Sequence, residues 1–212
     1  MALAGLFLVL VLTGAGPESV LDERFGCRTA PILLLARVDV QRELQLDARQ
    51  VAAAKTAIAR LLDRALGLKG KKGMEVKEAR RQIDLEMVEW LRRNLSGPQY
   101  ERLFQVDLQW EGAAAMTRDH VVATLQLSDR QRIAINRLLD QLEATRRTRR
   151  ILSPPEIGQF AGGARAVLTP AQREVWDRLL GKPCHFLVGG RSVTTPIGSD
   201  PEVVRTKARP DR

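Results

Sequence analysis

L-T-P-A-Q, Leu168 to Gln172, is one of four copies of a five-residue figure that together decide how this chain folds. The others are L-D-A-R-Q from Leu46, L-S-G-P-Q from Leu95 and L-S-D-R-Q from Leu127, and each introduces a run with helical periodicity. The figure reads as a capping box. An Asp, Ser or Thr at the N-cap accepts from the N3 backbone N–H, and the N3 Gln reaches back to the N–H of the cap. The caps are then Asp47, Ser96, Ser128 and Thr169, closed by Gln50, Gln99, Gln131 and Gln172. Leu46, Leu95, Leu127 and Leu168 stand one residue ahead, where a hydrophobic residue staples onto N4. Val51 and Tyr100 suit that role, whereas Arg132 and Arg173 make it weaker in the last two copies. Pro170 falls at N1, where its missing N–H costs nothing. The expected fold class is therefore all-α, with antiparallel helical hairpins or a bundle of about six to seven helices.

Composition agrees with long amphipathic helices. Aromatic residues make up 4% of the 212-residue chain and charged residues 28%, which suits packing through Leu, Val, Ile and Ala better than a sheet. The length suffices for a real core without metals or cross-links. A net charge of +9 favours acidic partners such as anionic lipid or acidic protein segments. Nucleic acid is not expected, because the basic patches lack interleaved stacking aromatics.

Residues 2–16, A-L-A-G-L-F-L-V-L-V-L-T-G-A-G, form an apolar run of signal-peptide length, too short to span a bilayer comfortably. Small residues at Thr13 and Ala15 place cleavage after about Ala15, so residues 1–16 read as a signal peptide and the protein as periplasmic or otherwise exported, with no stable membrane span after cleavage. Export leaves two states open for Cys27 and Cys184, a single bridge or two unpaired thiols.

Residues 17–186 form the expected helical domain, either one bundle or two hairpin units, about 31–112 and 113–186. A short docking helix ends at Leu44, with Leu33, Leu34, Val38 and Gln41 on its face. The first capped helix runs from about Asp47 to Leu66, with Val51, Ala54, Ile58, Leu61, Leu62 and Ala65 on one stripe. G-L-K-G-K-K-G, from Gly67, is a basic linker with no phosphate-loop pattern. A helix from about Met74 to Asn94 carries Val76, Ala79, Ile83, Met87, Trp90 and Leu91. The next runs from Ser96 through Leu103, Val106 and Trp110 to a stop near Gly112. A shorter piece to Leu125 carries His120, from which no second His, Cys or carboxylate stands at i+3 or i+4, so it is not read as a metal ligand. From Ser128 to about Arg150 the apolar strip is Ile135, Leu138, Leu139 and Leu142. Arg146, Arg147, Arg149 and Arg150 close that helix, where positive charge complements its dipole and can also meet an anionic client. Ser153 caps a further helix that Gly158, Gly162 and Gly163 should weaken. The last helix buries Val175, Trp176 and Leu179 and stops at Gly181 and Pro183. Residues 187–212 read as a disordered tail.

L-T-P-A-Q-R-E-V-W-D-R-L-L-G-K-P resembles the LTxxQ motif of the Spy and CpxP superfamily of exported helical proteins. V-Q-R-E-L-Q-L-D-A-R-Q, R-L-F-Q-V-D-L-Q-W-E-G-A-A-A-M and H-V-V-A-T-L-Q-L-S-D-R-Q resemble uncharacterised exported planctomycete-type relatives, over roughly residues 33 to 183. The resemblance implies antiparallel hairpins, often dimeric, that hold unfolded or envelope proteins without ATP or restrain an envelope-stress sensor. Its matching positions are structural caps. Some relatives bind transition metals, but His120, His185 and Cys184 do not supply a tetrahedral set. No catalytic residue, cofactor or metal site is expected, since hydrolase and redox spacings are missing. The expected function is non-catalytic client binding or envelope-stress response; the alternatives are a metal-responsive envelope protein and an interaction scaffold.

Overall fold

The computed structural model describes residues 30–149, 154–188 and 191–194. Among them the chain is predominantly helical. In order come α1 (Pro31–Leu34), α2 (Val38–Glu43), α3 (Ala48–Leu66), α4 (Met74–Asn94) and α5 (Gly97–Glu111). A 3-10 segment (Gly112–Thr117) leads to α6 (Asp119–Leu125), α7 (Asp129–Arg149), α8 (Pro154–Val167) and α9 (Pro170–Leu180). Two strands follow, β1 (His185–Val188) and β2 (Arg191–Thr194). The chain divides into two compact units, one formed by the described residues up to Glu111 with Leu180–Thr194, the other by Gly112–Leu179.

In the first unit the stripes of α3 and α4 meet. Ala54, Ala57, Ile58, Leu61 and Ala65 of α3 are buried with Ile83, Met87 and Leu91 of α4, joined by Leu103 and Val106 of α5. Arg60 and Arg64 both reach Glu86, tying α3 to α4 outside the apolar seam. The expected docking helix is two short helices. The backbone breaks at 35–37, and Gln41 Nε2 donates to the Leu35 carbonyl at 2.7 Å. The break turns the buried set to Ile32, Leu34, Leu35, Val40 and Leu44 and leaves Val38 62% exposed, which corrects the face expected from helical spacing.

In the second unit α7 packs on α8 and the 3-10 segment packs on both. Ile135 and Leu139 of α7 are buried, as are Phe160 and Ala164 of α8, Trp176 of α9, and Ala113 to Met116. The segment with Gly158, Gly162 and Gly163 forms one continuous helix, α8. Gly163 lies where α8 meets α7, since a Cβ on it would stand 3.4 Å from Leu138 Cδ1, an ordinary contact distance. Ser153, the expected cap of α8, lies outside the described residues.

The tail departs from expectation at its start. Residues 185–188 pair antiparallel with 191–194, His185 opposite Thr194 and Val188 opposite Arg191. H-F-L-V and R-S-V-T flank Gly189-Gly190, a two-residue hairpin signal that a count of apolar residues overlooks. Phe186 is 2% exposed and belongs to the first unit's core, which gives the hairpin an apolar anchor. Residues 195–212 lie outside the described part.

Ile58 is 1% exposed and Leu85 53% exposed. Ile58→Ala should lower stability by about 2–5 kcal/mol through lost burial and a residual cavity, whereas Leu85→Ala should change it by less than about 0.5 kcal/mol. Urea unfolding of the two variants checks the contrast.

Candidate functional site: paired glutamine clasps

Each capping box closes in both directions. Asp47 Oδ1 accepts from the Gln50 N–H at 2.7 Å, and Gln50 Oε1 accepts from the Asp47 N–H at 3.1 Å. The corresponding distances are 3.4 and 3.0 Å for Ser96 with Gln99, 3.3 and 3.0 Å for Ser128 with Gln131, and 3.2 and 3.0 Å for Thr169 with Gln172. The leading leucines pack inward: Leu95, Leu127 and Leu168 are buried, and Leu46 is half-buried against the core.

The glutamines also meet in pairs. Gln50 Nε2 donates to Gln99 Oε1 at 2.9 Å, and Gln99 Nε2 donates back to Gln50 Oε1 at 3.2 Å, across 49 residues of chain. Gln131 and Gln172 repeat the exchange at 2.7 and 3.2 Å across 41 residues. Each amide has one hydrogen left, and it goes to the end of the helix preceding the partner's box. Gln50 donates to Asn94 O at 2.9 Å and Gln99 to Leu44 O at 3.2 Å. Gln131 donates to Val167 O at 2.9 Å and Gln172 to Leu125 O at 3.0 Å. Each carboxamide therefore uses both hydrogens and both lone pairs of its oxygen.

This chemistry explains a choice that capping alone leaves free. A capping box accepts Glu or Gln at N3, yet all four boxes here carry Gln. A carboxylate has no hydrogen to give, so Glu could cap its own helix but could neither meet its twin nor satisfy the neighbouring carbonyl. The units also share the entry to the first box. Gln45 and Gln126 are left-handed, at φ 52° and 50°, and close the short helices α2 and α6. Leu46 N–H bonds Gln41 O and Gln45 N–H bonds Arg42 O; Leu127 bonds Val122 and Gln126 bonds Ala123 in the same pattern. This double bond is the Schellman closure of a helix end. One plan thus appears twice: short helix, left-handed Gln, box, helix, helix, box, helix.

A second polar device belongs to the first unit. Gln109, 4% exposed, donates to Leu180 O at 2.6 Å and Lys182 O at 2.8 Å and accepts from the Cys184 N–H at 2.7 Å. It supplies the backbone partners that the chain loses on leaving α9. Gly181 there has φ +63°, and a Cβ on it would meet the Gln105 side chain at 2.3 Å. Arg37 lies 4.6 Å over the Trp110 ring and 5.7 Å over Phe186, with its guanidinium forked on Asp39 at 2.9 and 2.6 Å. Burial, reinforced by the Glu43 carboxylate and opposed by Arg102, pushes the Cys184 thiol from its usual 9.0 up to about 11. Cys184 is buried and among the described residues has no disulfide partner; Cys27 lies outside them.

Of the residues expected to meet a client, Arg147 is exposed and paired with Glu143 at 2.8 Å. Arg150 and the side chains of Arg146 and Arg149 lie outside the described part. His120 and His185 are exposed, on α6 and β1. Among the described residues no group of three His, Cys, Asp or Glu stands where it could hold a metal. No described helix is long and apolar enough to cross a membrane. These features define a class: a helical protein of two modules, each closed by a reciprocal pair of glutamine caps. Compared with family models, curated proteins and solved structures, the chain has no significant match.

Gln131→Glu should destabilise the second unit by about 1–3 kcal/mol at neutral pH, because a carbonyl loses its donor and two oxygens face each other. Ser128→Ala, which removes only the cap, should cost about 1 kcal/mol. The introduced carboxyl is held protonated more readily when folded, so its penalty should fade as the pH drops into the ordinary carboxylate range. Thermal unfolding of both variants against pH reads the difference. In a Cys27→Ser background, Cys184 should react with a disulfide reagent at pH 8 at least about tenfold more slowly folded than in urea, since the thiolate is scarce and covered. The raised thiol also sets a stability term present below the usual 9.0 and lost as pH climbs toward about 11. Cys184→Ser should remove that alkaline loss.

Proposed function

We propose that this is an exported, non-catalytic helical protein of the Spy and CpxP type that holds unfolded or envelope proteins without ATP, as a chaperone or within an envelope-stress response. The observation that carries this reading is the exposure of large apolar side chains on long, charged helices: Leu85 on α4 is 53% exposed and Ile133 on α7 is 51% exposed. Ile157 on α8 adds a third at 47%. Single apolar side chains in a charged surface suit weak, reversible grip on a client segment better than a tight permanent interface. The net charge of +9 speeds encounter with acidic clients. The paired boxes support the family reading, because they put the Leu-cap-x-x-Gln residues to one repeated structural use. The apolar run at residues 2–16 supports export, and a homodimer is the assembly the resemblance implies.

The test is aggregation suppression. Light scattering from a reduced, destabilised client should fall at a several-fold molar excess of this protein at low salt, without ATP. Leu85→Ser with Ile133→Ser should weaken the protection several-fold while leaving stability nearly unchanged, as expected for exposed sites. No protection by the unaltered chain would overturn the reading.

A further inference from the structure

We propose that the end of the α3–α4 hairpin, residues 66–77, docks on an anionic phospholipid surface. From Leu66 to Gln82 no residue is fully buried, and within 66–77 Leu68 alone packs against the core, half-buried, which leaves the rest of this hairpin end largely exposed. Lys69, Lys71 and Lys72 are exposed within the loop and Lys77 is exposed on the first turn of α4. Among the described residues none of the four has a carboxylate partner. Within residues 66–82 the carboxylates are Glu75 and Glu78, and Glu78 is engaged by Arg81 and Gln82, so the four lysines outnumber the carboxylates of this stretch. Two large apolar side chains bracket Lys69, Lys71 and Lys72: Leu66 at 47% and Met74 at 76% exposed, the latter the most exposed large hydrophobic among the described residues. Gly70 at φ +76° and Gly73 at φ +116° let the loop take turns that side chains resist.

The chemistry selects a lipid surface over other anions. Lysine ammoniums are compact point charges on flexible stems, suited to diffuse negative charge rather than to one phosphate held in a fork. No buried polar side chain or phosphate-loop pattern is present here to cradle a single anion. Aromatic stacking partners for nucleic acid are missing from the same stretch. An exposed Met and Leu beside the charges can enter the boundary between headgroups and acyl chains while the lysines stay at headgroup level. Each lysine near such a surface strengthens binding about fivefold at moderate salt. The inference is independent of client holding, which uses other side chains.

The full chain is mixed with vesicles of phosphatidylcholine alone or with about a quarter phosphatidylglycerol, and bound protein is measured by sedimentation. The apolar run at residues 2–16 meets both compositions alike, so the difference between them isolates the charged contact. Stronger binding to the anionic vesicles is expected, falling steeply as salt rises from about 0.05 to 0.5 M. The triple variant K69Q/K71Q/K72Q should lose about a hundredfold of the anionic preference. Met74→Ser should lose several-fold and keep the salt dependence. These positions are exposed, so unchanged thermal unfolding of both variants separates lost binding from lost folding. Equal binding to both vesicles, undiminished binding by the triple variant, or capture of soluble polyglutamate in place of anionic vesicles would each overturn the proposal.

Discussion

The fold depends on how helix ends are satisfied where several of them meet. A helix leaves orphaned N–H groups at its start and orphaned carbonyls at its finish, and a small bundle concentrates both in little space. In each unit two glutamine carboxamides answer both needs. Their oxygens take the cap N–H groups, and their hydrogens take each other and the last carbonyls of the preceding helices. The second unit repeats this bond for bond. Because both amides are saturated only when paired, the clasp fixes which helix starts lie together. It couples positions 49 and 41 residues apart, so it is an instrument of tertiary structure as much as of capping.

Around that constraint, apolar packing does the ordinary work. The seam of α3 and α4 needs small residues, and Ala54, Ala57 and Ala65 supply them between Ile58 and Leu61. The first unit differs from the second in what is added to the shared plan: α1, the exposed lysine loop, and the returning segment that Gln109 and Phe186 hold. Function has room only outside the clasps, since their donors and acceptors are used up. This directs attention to exposed Leu85 and Ile133 on the helices, and to Met74 with its lysines at the hairpin end.

The sequence by itself determined the helices and their beginnings. The four boxes, the stripe from Ala54 to Ala65 and the stops at Gly67, Gly112 and Gly181 are local signals, written within a few residues of where they act. That is why α3, α4 and α5 follow the expected boundaries so closely. Even the choice of Gln over Glu at all four N3 positions was visible as a pattern, though not as a reason. The tertiary structure decided the rest, because it depends on what lies far away in the chain. Only folding brings Gln50 to Gln99 and Gln131 to Gln172, breaks the segment before Leu44 so that Val38 turns outward, and gives Phe186 a core in which to anchor a hairpin. A side chain's second hydrogen-bond partner leaves no mark on spacing, since the partner may stand anywhere in the sequence.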